Sequence, residues 1–492
     1  MSSLAARQPL LTEGPIAKTL LMFALPILGS TVLQSLNGSV NAMWIGHYLG
    51  EAALTAVSNA NLILFLLLGA VFGLSMACTI LIGQSLGARN MLEAKRVVGT
   101  GVTFFVSVSI IVAIGGYFGT PWMLNALNTP VDAQAFAIPY LRIIFIAVPS
   151  MYFYAFLMMT LRGAGDSRTP FFFMALSVVM DIVLNPLLIF GVGPFPRMGI
   201  AGSATSTLIA QSVALVALLV TLYRRKHFLR LTSHELGYLR PDREILRSLV
   251  VKGLPMGLQM IVISSSAMIM IHMVNEYGSK TTAAYGAATQ LWAYVQMPAM
   301  AIGAAVSSMA AQNVGAKLWD RVSLITRVGV LYNFLLSGCL IGVIYLFNHA
   351  ALGMFLPNDA QALTLAQHLN SIAVWSFMFF GVTFVLFGVV RSTGAVLPPL
   401  IILFISMWLI RPPFALVLAP HLGADSIWWS FPLGSLASML MAMGYYKWGG
   451  WRRARMLATP IEKAGLEKAD QDAAVAGQQA PTTGQGVPAS AD

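Results

Sequence analysis

Uninterrupted apolar runs limit this chain more than any other feature. Residues 17–45, 53–82, 97–119 and 170–192 each approach or exceed the roughly 20 residues that a helix needs to cross a bilayer. Similar runs continue to residue 447, and we count twelve in all. Within lipid every backbone N–H and C=O must find an internal partner, which leaves helices or closed barrels. Barrel strands alternate apolar and polar residues over about ten positions, and these runs do not. The expected fold is an all-α membrane protein of twelve transmembrane helices. Charge content agrees, since only 10% of the residues are charged against roughly 25% in soluble domains.

The twelve runs fall into two related halves. Leu25-Pro26 matches Leu254-Pro255 at an offset of 229. Gln84-Ser85-Leu86-Gly87-Ala88-Arg89 matches Gln312-Asn313-Val314-Gly315-Ala316-Lys317 at 228. Arg162, Gly165 and Pro170 match Arg391, Gly394 and Pro399, again at 229. Six is an even number, so both halves enter the membrane from one side. They form two parallel six-helix repeats about an axis along the membrane normal. The expected divisions are a tail over 1–16, a first lobe over 17–223, a linker over 224–248, a second lobe over 249–450 and a largely disordered tail over 451–492. In the matched loops glycine reads as a helix end and Pro170 and Pro399 as helix starts, a role in turns and topology and not in substrate contact.

Charge distribution sets an orientation. The formal net charge is +11, which by itself could suggest nucleic acid. With a cytoplasmic N-terminus, all but four of the 29 Lys and Arg residues fall on the cytoplasmic side. The exceptions are Arg142, Arg197, Lys280 and the intramembrane Arg411. This is the positive-inside bias, so both termini are expected in the cytoplasm, the basic residues meet lipid headgroups, and nucleic acid is not an expected partner. Cys78 and Cys339 lie inside apolar runs and suggest no disulfide framework.

Asp181 is the one acid well inside a span. It lies 11 residues past Pro170, about 16 Å along a helix in an apolar core about 30 Å thick. An ionised carboxylate there costs at least about 2.5 kcal/mol, so proton uptake removes a large penalty. Ser177, Asp181 and Asn185 are spaced by four and share a helix face. Gln34, Asn37 and Asn41 form a stripe on the first helix, and Thr205 and Thr207 lie near the outer end of the sixth. Asn41, Asn185 and Thr207 reach similar depth, with Asp181 one turn deeper. Together they could surround one cation or hold one proton. The plainer reading of the amides and threonine is polar packing between helices.

Arg411 is the buried charge of the second half. By the repeat offset it corresponds to Ile182, next to Asp181. Either it gates or couples with Asp181 across a cleft, or it bonds backbone carbonyls freed by Pro412 and Pro413. Met256, Met260, Trp292 and Tyr294, with Gln34 and Asn37, are candidates to line a substrate cleft. Methionine surfaces adapt to varied ligands and aromatic faces attract organic cations. Ordinary packing is the alternative for the methionines and aromatics.

An ordered set of motifs resembles one family. Gly14-Pro15-Ile16 with Lys18, Leu25-Pro26, Trp44-Ile45-Gly46, Gly83-Gln84 with Gly87-Ala88, Leu161-Arg162-Gly163 with Gly165-Asp166 and Thr169-Pro170, Asn185-Pro186 through Gly191, and Gly199-Ile200-Ala201-Gly202 are similar to the multidrug and toxic compound extrusion (MATE) family over about residues 12–450. That resemblance implies a cation-coupled antiporter, driven by protons or sodium, that moves organic and often cationic compounds out of the cytoplasm. It also implies a V-shaped cleft between the lobes, alternating access and an ion site in the first lobe. Members of the family usually carry Asp where this chain has Asn41, and often Asn and Asp where it has Asp181 and Asn185. The first-helix acid is therefore an amide here and the fifth-helix pair is reversed, so coupling is expected through Asp181, with protons favoured. No resident cofactor or metal is expected. The expected partners are small organic substrates and membrane lipids, for a monomer in a bacterial cytoplasmic membrane. A flippase for lipid-linked oligosaccharides is the competing reading; a single buried Arg without a basic cluster favours the antiporter. Catalysis is not expected, because Gly278-Ser279-Lys280-Thr281 lacks the first glycine and the strand of a phosphate-binding loop.

Overall fold

The structure is a computed structural model and describes residues 11–49, 51–127, 129–356 and 360–457. The first half comprises α1 (Ile16–Leu49), α2 (Glu51–Gly87), α3 (Met91–Ala126), α4 (Val131–Gly163), α5 (Arg168–Phe190) and α6 (Ile200–Arg224). A 3-10 helix, Ser233–Leu239, lies in the linker. The second half comprises α7 (Arg243–Asn275), α8 (Ser279–Gly315), α9 (Trp319–Leu346), the short α10 (Asn348–Gly353), α11 (Ala360–Ala373), α12 (Ser376–Arg391), α13 (Leu397–Phe404), α14 (Arg411–Leu422) and α15 (Asp425–Trp448). A π-helical turn, Ile405–Ile410, joins α13 to α14.

Nine helices among the described residues are long and apolar enough to span a membrane. In addition, α11 and α12 make one span bent by 45° at their break. The remaining two, α8 and α15, stand where the repeat requires the eighth and twelfth spans. Helix α8 is buried along most of its length, so it needs no lipid-facing apolar surface. The chain is a multi-pass membrane protein of twelve spans. The repeat extends to the backbone: Arg89 (φ 56°) pairs with Lys317 (φ 59°), and Gly165 (φ 89°) with Gly394 (φ 103°), all left-handed.

Gly165 and Gly394 do follow helix ends in the left-handed conformation, but Gly87 and Gly315 do something else. Gly87 and Gly315 are helical, and the left-handed residues are Arg89 and Lys317 two positions later. A Cβ on Gly87 would come within 1.8 Å of the Gln312 carbonyl oxygen, and one on Gly315 within 2.0 Å of the Gln84 oxygen. Gln84 Nε2 donates to the Ser392 carbonyl at 2.6 Å, and Gln312 Nε2 to the Gly163 carbonyl at 3.0 Å. The repeated loops are thus also where the halves touch, which corrects the turn-only reading for Gln84, Gly87, Gln312 and Gly315. Turn glycines and contact glycines look alike in sequence.

Packing follows the same plan. A core joins Leu11, Ile16, Leu20, Phe23 and Ile27 to Ala301–Ala310 of α8 near the linker end. Towards the opposite end the second half has a core of its own, from Met270 on α7 to Phe431 on α15. The expected tail boundary at 451 also shifts. Trp451 is 1% exposed, Thr393 Oγ1 donates to its carbonyl at 2.8 Å, and Ser248 Oγ donates to the Met456 carbonyl at 2.6 Å. An indole anchors this segment, so it packs. Residues 1–10 and 458–492 of the expected tails lie outside the described residues.

The linker docks on α3. A Thr232–Glu235 capping box starts its 3-10 helix, and Lys95 Nζ meets Glu235 Oε1 at 2.5 Å. That bond, helped by the Thr232 backbone, holds the Glu235 carboxyl down to about 2 from its ordinary 4.5. A depressed carboxylate pKa means the bridge contributes fully above pH 4.5 and is lost only as pH falls through about 2. Glu235→Gln should loosen the linker at neutral pH, and tryptic cleavage after Arg230 should then outpace that of the parent protein.

A candidate coupling site in the first lobe

Helices α1, α5 and α6 bring one carboxylate under a ring of donors. Asp181 is 2% exposed and Asn185, one turn on, is fully buried. Asp181 Oδ2 accepts from Asn37 Nδ2 at 2.8 Å and from Asn41 Nδ2 at 3.1 Å. Oδ1 accepts from Ser206 Oγ at 2.5 Å. Thr207 Oγ1 lies 3.4 Å from both oxygens. Asn185 Nδ2 donates to Asn41 Oδ1 at 2.5 Å and so fixes that amide. Every partner of Asp181 donates, which is how an ionised carboxylate is held.

Of the sequence candidates, Asp181, Asn185, Asn41 and Thr207 therefore meet, and Asn37 joins them. Gln34 is exposed two turns from Asn41, and Thr205 turns to the Ala201 carbonyl. Ser206 was not anticipated. Serine recurs along α6, and nothing in its spacing singles out position 206.

Ser206 has one hydroxyl proton and two acceptors. The second is the Ser203 carbonyl at 2.9 Å. With Asp181 ionised, Ser206 donates to it. With Asp181 protonated, the carboxyl donates to Ser206 Oγ and the serine proton turns to Ser203. The site can thus change protonation state without moving a heavy atom.

The repeat is also what known proteins recognise. One family model, MatE, matches residues 26–187 and again residues 255–417. The chain belongs to the MatE family. A MatE relative, probable multidrug resistance protein YoeA of Bacillus subtilis strain 168, is 37% identical over 92% of this chain and 98% of its own length. Probable multidrug resistance protein YpnP of the same strain is 33% identical over 90% and 98%. Among solved structures, an outward-facing multidrug resistance MATE transporter of the MOP superfamily superposes with a TM-score of 0.83 at 19% identity, covering 92% of this chain and 98% of that one. That likeness shows the fold, two six-helix lobes arranged as a V.

The MatE lobes are chemically unlike. Arg411 makes no hydrogen bond or ion pair with any described residue, to Asp181 or to a backbone carbonyl; its Nε is buried without a partner. Neither reading of Arg411 from the sequence describes this arrangement. Its guanidinium lies over the Phe431 ring, 4.2 Å from the centroid. Met256 is 2% exposed in the packed core, and Met260 faces Gly69 across the lobes. Trp292 is also 2% exposed, with Nε1 donating to Asn370 Oδ1 at 2.8 Å. Met256 and Trp292 are occupied in packing, whereas Met260 is partly exposed and Tyr294 half exposed.

Proposed function

We propose that this MatE protein is a proton-coupled antiporter of the bacterial cytoplasmic membrane, exporting amphiphilic organic compounds, with Asp181 as the coupling group and both termini in the cytoplasm. The observation that carries the reading is the buried carboxylate whose Ser206 partner has a second acceptor ready. The positive-inside charge pattern supports the orientation, and the multidrug resistance names of the relatives support the substrate class. In the closed arrangement at the linker end, the clasp of Gln84 and Gln312 separates the cleft from the cytoplasm. Proton binding neutralises Asp181, frees Asn37 and Asn41 from its charge, and lets α1 shift against α5 and α6. A ligand can drive such a shift only through its different affinity for the two states.

Sodium is the second reading, and one observation favours it: Asn37 Oδ1 and Asn185 Oδ1 are buried beside Asp181 without hydrogen-bond partners. Oxygen donors of that kind suit a hard cation. Export of a fluorescent organic cation from proteoliposomes, under a proton gradient and separately under a sodium gradient, distinguishes the two. Proton-only drive supports our proposal; sodium-only drive overturns the coupling ion, and no drive under either overturns antiport. Ser206→Ala removes the nearer proton acceptor and leaves the Thr207 hydroxyl, 3.4 Å from each carboxylate oxygen, with the two asparagine donors. Its proton-driven rate should fall by about tenfold, the worth of one charge-assisted hydrogen bond, while Ser206→Thr retains most of it.

A further inference from the structure

Arg411 sits at the start of α14, directly after the π-helical turn Ile405–Ile410. Such turns re-aim the residues around them and recur at functional sites. Its stem lies against α15 at Gly434, where an added Cβ would come within 2.5 Å of Cγ and 3.0 Å of Nε. The fold therefore leaves room for this arginine. One face of the guanidinium rests on Phe431. Phe431 packs on Trp292 at 5.2 Å and on Tyr285 at 6.3 Å, and Tyr285 stacks on Trp428 at 5.9 Å.

What the guanidinium lacks is an acceptor. It offers five N–H donors, and no described residue accepts one. The same lobe shows how a buried guanidinium is otherwise satisfied: Arg391 donates from Nε to the Phe387 carbonyl at 3.2 Å and from Nη1 to Gln259 Oε1 at 3.1 Å. A cation held at membrane depth by an aromatic face alone has its charge-assisted hydrogen bonds still to make, and a planar anion matches its fork in bidentate fashion.

We propose that Arg411 is the anchor of a second-lobe subsite for the anionic group, a carboxylate or its like, of an organic substrate; Phe431 backs one face of the guanidinium and, like Trp292, Tyr285 and Trp428, stays buried in the core of the lobe. Exported compounds then include organic anions and zwitterions, recognised in the lobe opposite Asp181. The inference rests on the antiport reading only in calling the ligand a substrate. An anionic lipid headgroup carries the same chemistry, and the test separates the two.

The probes are rhodamine B, which carries a free carboxylate, and its ethyl ester, which does not. Binding of each to the full chain is read by fluorescence polarisation in phosphatidylcholine nanodiscs, without any ion gradient. The expected result is about tenfold tighter binding of the acid than of the ester, because a site built around a charge-assisted pair rejects the analogue lacking it. Arg411→Gln should remove that preference by weakening the acid alone, and Arg411→Lys should keep part of it. Equal weakening of both dyes, or no preference in the parent protein, overturns the proposal. So does a preference that disappears when phosphatidylglycerol is added to the discs, because the lipid is then the occupant. Since no gradient is applied, failure of driven transport would count against antiport and leave this result intact.

Discussion

Asp181→Asn should abolish proton-driven efflux while leaving a folded protein that still exchanges substrate downhill. The new amide can keep the hydrogen bonds of the site. Its oxygen accepts from Asn37 and Asn41, and its nitrogen donates to Ser206, whose proton turns to the Ser203 carbonyl. The variant is thus a permanent copy of the protonated state. An equilibrium moves only by a ligand's differential affinity, and the amide has none for a proton, so the gradient-driven rate should fall by about two orders of magnitude. Efflux of a fluorescent cation from proteoliposomes, measured with and without a proton gradient, reads both parts of the expectation. Undiminished driven efflux would remove Asp181 from the coupling scheme. Loss of downhill exchange as well would make its role structural.

The second large effect is at the clasp. Gly87→Ala sets a methyl 1.8 Å from the Gln312 carbonyl oxygen, and Gly315→Ala sets one 2.0 Å from that of Gln84. The obstructing atoms are backbone, so the helices must part. Overpacking of this kind costs about 1–3 kcal/mol. A cost near 2 kcal/mol changes the ratio of closed to open states by about thirty-fold. Spin labels placed either side of the clasp should show the lobes separated at the linker end in either variant. Because the two contacts share one interface, the double variant should fall short of the sum. Gly286→Ala and Gly342→Ala, where an added Cβ meets nothing within 4 Å, should change nothing. A clasp still closed in Gly87→Ala would mean that these contacts do not hold the state.

The spans and the doubling were legible because they are written in long runs and repeated motifs. Asp181 was legible because an acid in lipid is expensive enough to be conspicuous. The clasp was harder to see: Gly87 and Gln84 look like loop residues, and their partners lie more than 200 positions away. Ser206 was hidden for another reason. Serine in a membrane helix commonly bonds its own backbone, and only the neighbouring carboxylate distinguishes it from Ser212 or Ser203. The bend between α11 and α12 has no proline at the break, and Trp451 follows the last span in a segment rich in arginine, which reads as a tail. Each of these depends on a tertiary neighbour that spacing along the chain does not encode.

The clasp also bears on ancestry. Gln84 reaches Ser392 while Gln312 reaches Gly163, and the two acceptors are themselves equivalent positions of the repeat. Such a contact is isologous, the kind that two identical subunits make about a two-fold axis. A lone six-helix half with one glutamine, one close-approach glycine and one free carbonyl already has everything needed to close against a second copy of itself. The shut end of the cleft therefore requires nothing peculiar to the fused chain. What fusion permits is divergence elsewhere: a carboxylate in one half, a guanidinium in the other, and a shared latch that neither can alter alone.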